Sequence, residues 1–282
     1  MPTDTKILLD GLCFPEGPRW HDGKLWFSDM HAKTVIRVGL DGKAEKVVEV
    51  PNKPSGLGWL PDGRLLVVSM QDRKLLRLDS DGALREVADL SSIADFYTND
   101  MVVDAQGRAY VGNFGFDLHA GAQPTNTQLA LVLPSGEARV AARDLGFPNG
   151  CVITPDGRTL VVAESFAARL SAFDIAADGS LSNRRVWAQL EQKIPDGICM
   201  DAEGAIWMAA ALSHECLRVH EGGRISARIE VATQAYACML GGPDRKTLFL
   251  CTAEDSDPVK CVASKSGRIE HLRVDVPGVG LP

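Results

Sequence analysis

The sequence predicts an all-β fold, a six-bladed β-propeller of four-stranded antiparallel blades, and three observations carry that expectation. A turn followed by a short apolar run recurs six times along the 282 residues. The interval is about 40 to 50 residues, the length of one propeller blade. Between the turns the chain is rich in Val, Ile, Leu and aromatic residues, with no helical period of useful length.

The first unit opens with His21-Asp-Gly-Lys and the run LWFSDM (25–30), followed by TVIRVGL (34–40), the turn Asp41-Gly42 and AEKVVEV (44–50). Asp-Gly between apolar runs marks a hairpin, because glycine accepts the positive φ that a tight turn demands. The second unit repeats the plan with Pro61-Asp-Gly-Arg, LLVVSM (65–70), KLLRLDS (74–80), Asp81-Gly82 and ALREVADL (83–90). Asp104-Ala-Gln-Gly-Arg and AYVGNF (109–114) open the third. The fourth has Pro155-Asp-Gly-Arg, TLVVAE (159–164), RLSAFDI (169–175), Asp178-Gly179 and SNRRVWAQL (182–190). Asp201-Ala-Glu-Gly with AIWMAA (205–210) and Gly242-Pro-Asp-Arg-Lys with TLFLCT (247–252) complete the set. No linker interrupts the repeat, so one propeller domain is expected over residues 1–282. A terminal strand must close the ring, residues 5–10 or 269–276, and the pattern leaves that choice open.

Composition narrows the function classes. Hydrophobic residues make up 45% and charged residues 24%, which excludes collagen, coiled coil and intrinsic disorder. No run of about 18 apolar residues could span a membrane, and the first ten residues lack the apolar core of a secretion signal. A net charge of −7 without a basic stripe argues against nucleic acid and anionic membrane as partners. Seven cysteines, an odd number with no CxxC pair, read as buried free thiols of a cytoplasmic protein.

Strands of a blade alternate in direction, so the Asp-Gly turns share one face of the ring. The opposite face carries the loops that enter each blade and those between its second and third strands. The entering loops align as Phe14-Pro-Glu-Gly, Lys53-Pro-Ser-Gly, Tyr97-Thr-Asn-Asp, Phe147-Pro-Asn-Gly, Ile194-Pro-Asp-Gly and Ala235-Tyr-Ala-Cys. Their third position reads Glu16, Ser55, Asn99, Asn149, Asp196 and Ala237. Equivalent positions point at one axis, so Glu16, Asn99, Asn149 and Asp196 should converge where the channel opens. One such loop is ordinary turn chemistry. Two carboxylates and two amides crowded at one phase call for a cation. All-oxygen ligation favours a hard divalent metal: Ca2+ first, with Mn2+, Mg2+ or Zn2+ behind it. The other loops of that face, with His31, Gln71, Phe166, His214 and Asp255 among their residues, should supply the pocket wall. The long Gly-rich loop over 112–127 reads as a candidate lid.

These residues resemble the senescence-marker-protein, gluconolactonase and regucalcin family of six-bladed propellers. The resemblance runs from about residue 12 to about residue 278. It rests on Pro15-Glu-Gly-Pro, Thr98-Asn-Asp with Asp104 to Gly107, Pro148-Asn-Gly, Pro195-Asp-Gly-Ile-Cys-Met-Asp and Gly241-Gly-Pro-Asp, specific as an ordered set. It implies metal-dependent hydrolysis of lactones, with Glu16, Asn149 and Asp196 on a divalent ion and Asn99 beside them on the substrate. Asp196 is the general base that the resemblance favours, and His31, His119 and His214 are alternatives. The chain departs from sugar-lactonase members at Tyr97, where they carry an Arg that binds substrate hydroxyls. Losing a five-donor guanidinium removes a polar handle. Phe114, Phe116, Phe166 and Tyr236 add apolar wall, so a less polar lactone or ester is the expected small-molecule partner, with the chain a monomer or small homo-oligomer. Organophosphate (phosphotriester) hydrolysis on the same site, and a non-catalytic calcium-binding propeller that docks a partner, are the alternative functions.

Overall fold

Each of the six turns closes a hairpin between the first and second strands of an antiparallel sheet. Six such sheets surround a channel as a β-propeller in a computed structural model that describes residues 5–282. Residues 1–4, part of the stretch read above for a secretion signal, lie outside the described residues. The first blade consists of Pro15–His21, Lys24–Asp29, Thr34–Val38 and Ala44–Glu49. The first strands of the later blades are Pro54–Trp59, Thr98–Val103, Pro148–Ile153, Ile194–Asp201 and Gln234–Gly241, and all six pack side by side around the channel.

Continuous apolar runs drive this assembly, because the inner strands of each blade bury both faces against its neighbours. Leu57 and Val67 of the second blade bury against Trp26 and Val35 of the first. Between the third and fourth, Val102, Tyr110 and Leu131 meet Cys151, Val162 and Phe173. Each fully buried Val, Leu or Phe contributes about 1.5 to 3 kcal/mol relative to exposure, so the interfaces between blades form the core. All seven cysteines are free and buried.

The N-terminal strand closes the ring. Lys6–Leu12 pairs antiparallel with Gly267–Arg273 and forms the outer edge of the sixth blade, from Lys6 opposite His271 to Leu12 opposite Gly267. The other candidate segment, 269–276, contributes the third strand of that same blade. Beyond it the chain crosses the face that bears the Asp-Gly turns. Gly278 pairs with Asp201 and Val279 with Met200, then Leu281 bridges to Ile153 in the next blade.

One element escaped the strand pattern. Pro258–Ser264 is a short α-helix whose N-cap Asp257 accepts from the backbone N–H of Val259 (2.9 Å) and Lys260 (3.0 Å), with Pro258 opening the first turn. An Asp-Pro start is a helix signal in its own right, but seven residues are too few to show a period. Among the described residues no helix is long and apolar enough to cross a membrane.

Candidate active site

The aligned tetrads are not free loops, as the turn chemistry implied; they lie in or beside the opening residues of the first strands, each followed by a β-bulge. The register between first and second strands shifts within or just beyond the tetrad in all six blades: Glu16/Arg19, Pro54/Leu57, Thr98/Met101, Pro148/Cys151, Pro195/Ile198 and Ala235/Ala237. A bulge re-aims the side chains next to it. Here it lets the third-position residues lie at the channel while the strands continue as ordinary ladder. The glycine of the tetrad has a separate reason. A Cβ on Gly56 would lie 2.4 Å from the backbone nitrogen of Met101, and one on Gly150 2.7 Å from the carbonyl oxygen of Asp196. In the four blades whose tetrad ends in glycine, the inner strand thus packs closely on the backbone of the next, which draws the third positions together.

The result is a cavity of about 750 Å³ with Glu16, Asn99, Asn149 and Asp196 among its lining residues. Tyr97 and Tyr236 line it too. Phe116 does not: it packs edge-on behind the wall, 5.0 Å from Phe166 and 5.8 Å from Phe147. Two further repeat phases face the cavity, the second of them on the loops expected to supply the pocket wall. The first tetrad position supplies Phe14, Lys53, Tyr97, Phe147 and Ile194, two residues from the oxygen-bearing position and therefore on the same side of an extended chain. The residue after the second strand supplies Met30, Met70, Phe114, Ser165 and Leu212. Both phases were legible in the alignment of the repeats. At the mouth stand Asp117 to Ala120 of the long third-blade loop and Asp255 to Pro258 at the start of the short helix.

Electrostatics distinguishes the floor from the wall. Burial pushes the Glu16 carboxyl up to about 8, helped by the Asp100 charge, while the Gly17 N–H (2.7 Å) and Arg19 pull the other way. Asp196 keeps part of its surface open to the cavity, yet burial in the channel, then Glu16 and Asp100, push it well above the usual carboxylate range. Asn149 offers Nδ2 to Ser165 Oγ (3.2 Å), and that hydroxyl donates to the Pro195 carbonyl oxygen (2.7 Å), tying the amide to the neighbouring blade. Ser55 Oγ reaches Asn99 Oδ1 only at 3.5 Å. Two crowded carboxylates with amide oxygens beside them fit a hard divalent ion, which relieves both burial and repulsion. Among the described residues no three His, Cys, Asp or Glu side chains form a metal-holding group by themselves, so Asn99 and Asn149 are needed to complete any such cage.

The histidines separate by position. His214 bonds Gln234 (2.9 Å) and does not line the cavity. His119 stands at the mouth and is shifted down by burial. His31 is buried beside Phe14, with ring centroids 5.1 Å apart. Burial and then Lys53 bring it down to about 4. Its Nε2 lies 3.1 Å from the Ser256 carbonyl oxygen, which places the proton on that nitrogen and leaves Nδ1 a buried acceptor without a partner. Arg19 and Asp100, an ion pair at 2.6 Å under the cavity, carried no signal in the sequence that paired them.

Residues 14–254 match the family model described as SMP-30/Gluconolactonase/LRE-like region. A regucalcin of Xenopus laevis is 26% identical over 288 aligned residues, spanning 94% of this chain and 92% of the relative. A pentonolactonase of Haloferax volcanii is 26% identical over 259, spanning 89% and 85%. The solved structure of a calcium-binding regucalcin from Agrobacterium tumefaciens aligns with a TM-score of 0.83 at 24% identity, covering 100% of this chain and 97% of that one, a likeness of fold. With the match extending from the first bulged strand to the end of the sixth blade's second strand, the chain belongs to the SMP-30/gluconolactonase/LRE-like family.

Proposed function

We propose that the protein is a divalent-metal-dependent hydrolase of lactones or related esters with apolar substituents. The observation that carries this reading is the meeting of the buried Glu16 carboxylate, Asp196, Asn99 and Asn149 on the floor of a cavity whose wall is largely aromatic and sulfur-bearing. Relatives that bear lactonase names support the reaction class. Glu16, Asp196, Asn99 and Asn149 would hold the ion, Ca2+ first by their all-oxygen chemistry. Such an ion supplies Lewis-acid polarisation of the substrate carbonyl and stabilises the oxyanion.

The chain's own residues supply the rest. Asp196 is the carboxylate more open to the cavity, whereas Glu16 is buried and spends an oxygen on the Gly17 N–H. Asp196 Oδ therefore takes the proton of the attacking water. The new C–O bond forms at the carbonyl carbon, the ring C–O bond breaks, and the leaving oxygen recovers the proton to give a hydroxy acid. Asn99, fixed at the start of its strand, orients the carbonyl. Phe14, Met30, Met70, Tyr97, Phe114 and Phe147 exclude water and hold an apolar arm. His31 Nδ1 is an open acceptor for substrate or water but a weak base, given its depressed pKa.

The test is hydrolysis of aliphatic and aryl lactones, phenyl acetate and gluconolactone by chelator-stripped protein reloaded with each of Ca2+, Mn2+, Mg2+ and Zn2+. Ion-dependent turnover of the apolar lactones is expected. Absence of any ion-dependent hydrolysis would overturn the reading. An aryl phosphotriester preferred over every lactone would replace it with the phosphotriesterase alternative.

A further inference from the structure

Beneath the oxygen cluster the channel holds a fixed cation that none of the floor residues explains. Arg19 and Asp100 are 3% and 4% exposed. Every nitrogen of the guanidinium is occupied: Nε donates to the Leu57 carbonyl (2.9 Å), Nη1 to Pro18 (2.8 Å), and Nη2 to Met101 (2.5 Å) and to Asp100 Oδ1 (2.6 Å). Asp100 Oδ1 also accepts from the Met101 N–H (2.8 Å). Arg19 lines a second cavity of about 260 Å³ toward the Asp-Gly face and does not line the first. As a device for stability alone such a pair is poorly motivated, since apolar side chains of the same volume commonly do as well.

The charges above it give it a role. Glu16, Asp100 and Asp196 are the carboxylates inside the channel, and Arg19 is the cation among them. When the carboxylates are ionised, three negative charges and one positive leave a net two. The charged groups at the mouth are Lys53, Asp117, Asp257 and Asp255, the last paired with Lys260 (2.6 Å). They stand in or near solvent, where screening is strong.

We propose that Arg19 sets the charge preference of the ion site, matching the channel to a divalent ion and against a trivalent one. This rests on the ion-site reading above and adds a selectivity-determining residue that would touch neither ion nor substrate. Removing Arg19 leaves a net three negative charges, removing the Asp100 charge leaves one, and removing both restores two.

The experiment measures binding of Ca2+ alone and Tb3+ alone, by calorimetric titration, to the wild type, Arg19→Lys, Arg19→Met, Asp100→Asn and the double variant Arg19→Met/Asp100→Asn. One elementary charge within ~12 Å, at an effective dielectric near 20, changes the Tb3+/Ca2+ affinity ratio by about tenfold or more. Arg19→Met should raise the ratio by about that factor and Asp100→Asn should lower it. Arg19→Lys and the double variant should stay near the wild type. A purely structural role cannot give opposite shifts that cancel. If Arg19→Met fails to fold, the fall in Asp100→Asn and its recovery in the double variant remain decisive. Ratios unchanged while both ions bind would overturn the role of Arg19 alone. If neither ion binds the wild type, the proposed function falls and this inference with it.

Discussion

Replacing Glu16 by Gln should stabilise the ion-free protein and weaken its response to the ion. The folded carboxyl is pushed up to about 8 from an ordinary 4.5 by burial and the Asp100 charge. Because the folded value lies above the unfolded one, the native state binds the extra proton between these limits. Its stability is full below pH 4.5 and falls as pH rises toward 8. Each pKa unit corresponds to 1.36 kcal/mol, so at pH 7 the ion-free native state forgoes about 3 kcal/mol. Gln keeps the shape and the oxygen that faces the Gly17 N–H, and it carries no such cost. At about 2 °C for each kcal/mol in a chain of this size, Glu16→Gln should melt ~6 °C above the wild type in chelator at pH 7, and level with it at pH 4. Ca2+ at a hundred times its dissociation constant adds about 2.7 kcal/mol to the wild type. The variant, lacking one ligand charge, should gain far less. Differential scanning calorimetry at both pH values, with chelator and with Ca2+, checks all four conditions. A variant that melts at or below the wild type in chelator at pH 7, or keeps its advantage at pH 4, would refute the crowding of carboxylates from which the site is argued.

Three other outcomes follow from the same geometry. Glu16→Ala and Asp196→Ala should each remove most turnover at saturating ion while the circular dichroism spectrum stays that of the propeller; near-normal rates in both would place the chemistry elsewhere. Tyr97 lines the cavity and offers one hydroxyl in place of a guanidinium. Aliphatic or aryl lactones should therefore exceed gluconolactone in kcat/KM, and Tyr97→Arg should move that ratio toward the sugar by about 1 to 3 kcal/mol. Gly150→Ala would press a methyl group to 2.7 Å from the Asp196 carbonyl oxygen, where only backbone can yield. Denaturant titration should show a loss of about 1 to 3 kcal/mol or more, and Ca2+ affinity should fall with it as the Asp196 strand is displaced.

The tetrads carry their resemblance to a known family in the sequence alone, and the family match bears it out over residues 14–254. The residue roles that the resemblance implied are a separate matter: the fold brings Glu16, Asn99, Asn149 and Asp196 to one cavity, and activity measurements must assign what they do there. Tyr97 is half-buried, stacked on Phe96 at 4.1 Å and within 3.4 Å of the Gln71 amide.

By itself the sequence determined the blades and their phase. Asp-Gly turns and short apolar runs act over a few residues, so their structure is written locally. A six-fold repeat then carries local pattern into space, because residues at one phase must face one axis. That is why the four oxygen-bearing side chains were found, and why the first tetrad position and the residue after each second strand could have been found beside them. Only the tertiary structure decided what breaks the repeat. Lys6–Leu12 closes the ring by pairing on the outer edge of the strand that the C-terminal segment supplies. Phe116 lies behind the wall although its neighbour Phe114 lines it, because the loop departs from strand geometry after Asn113 and two-residue alternation no longer holds. Arg19 meets Asp100 across 81 residues, on strands of the first and third blades that converge on the channel. No local propensity pairs residues at that separation; the closing of the ring does, and it sets the Arg19 guanidinium against the Asp100 carboxylate beneath the cavity.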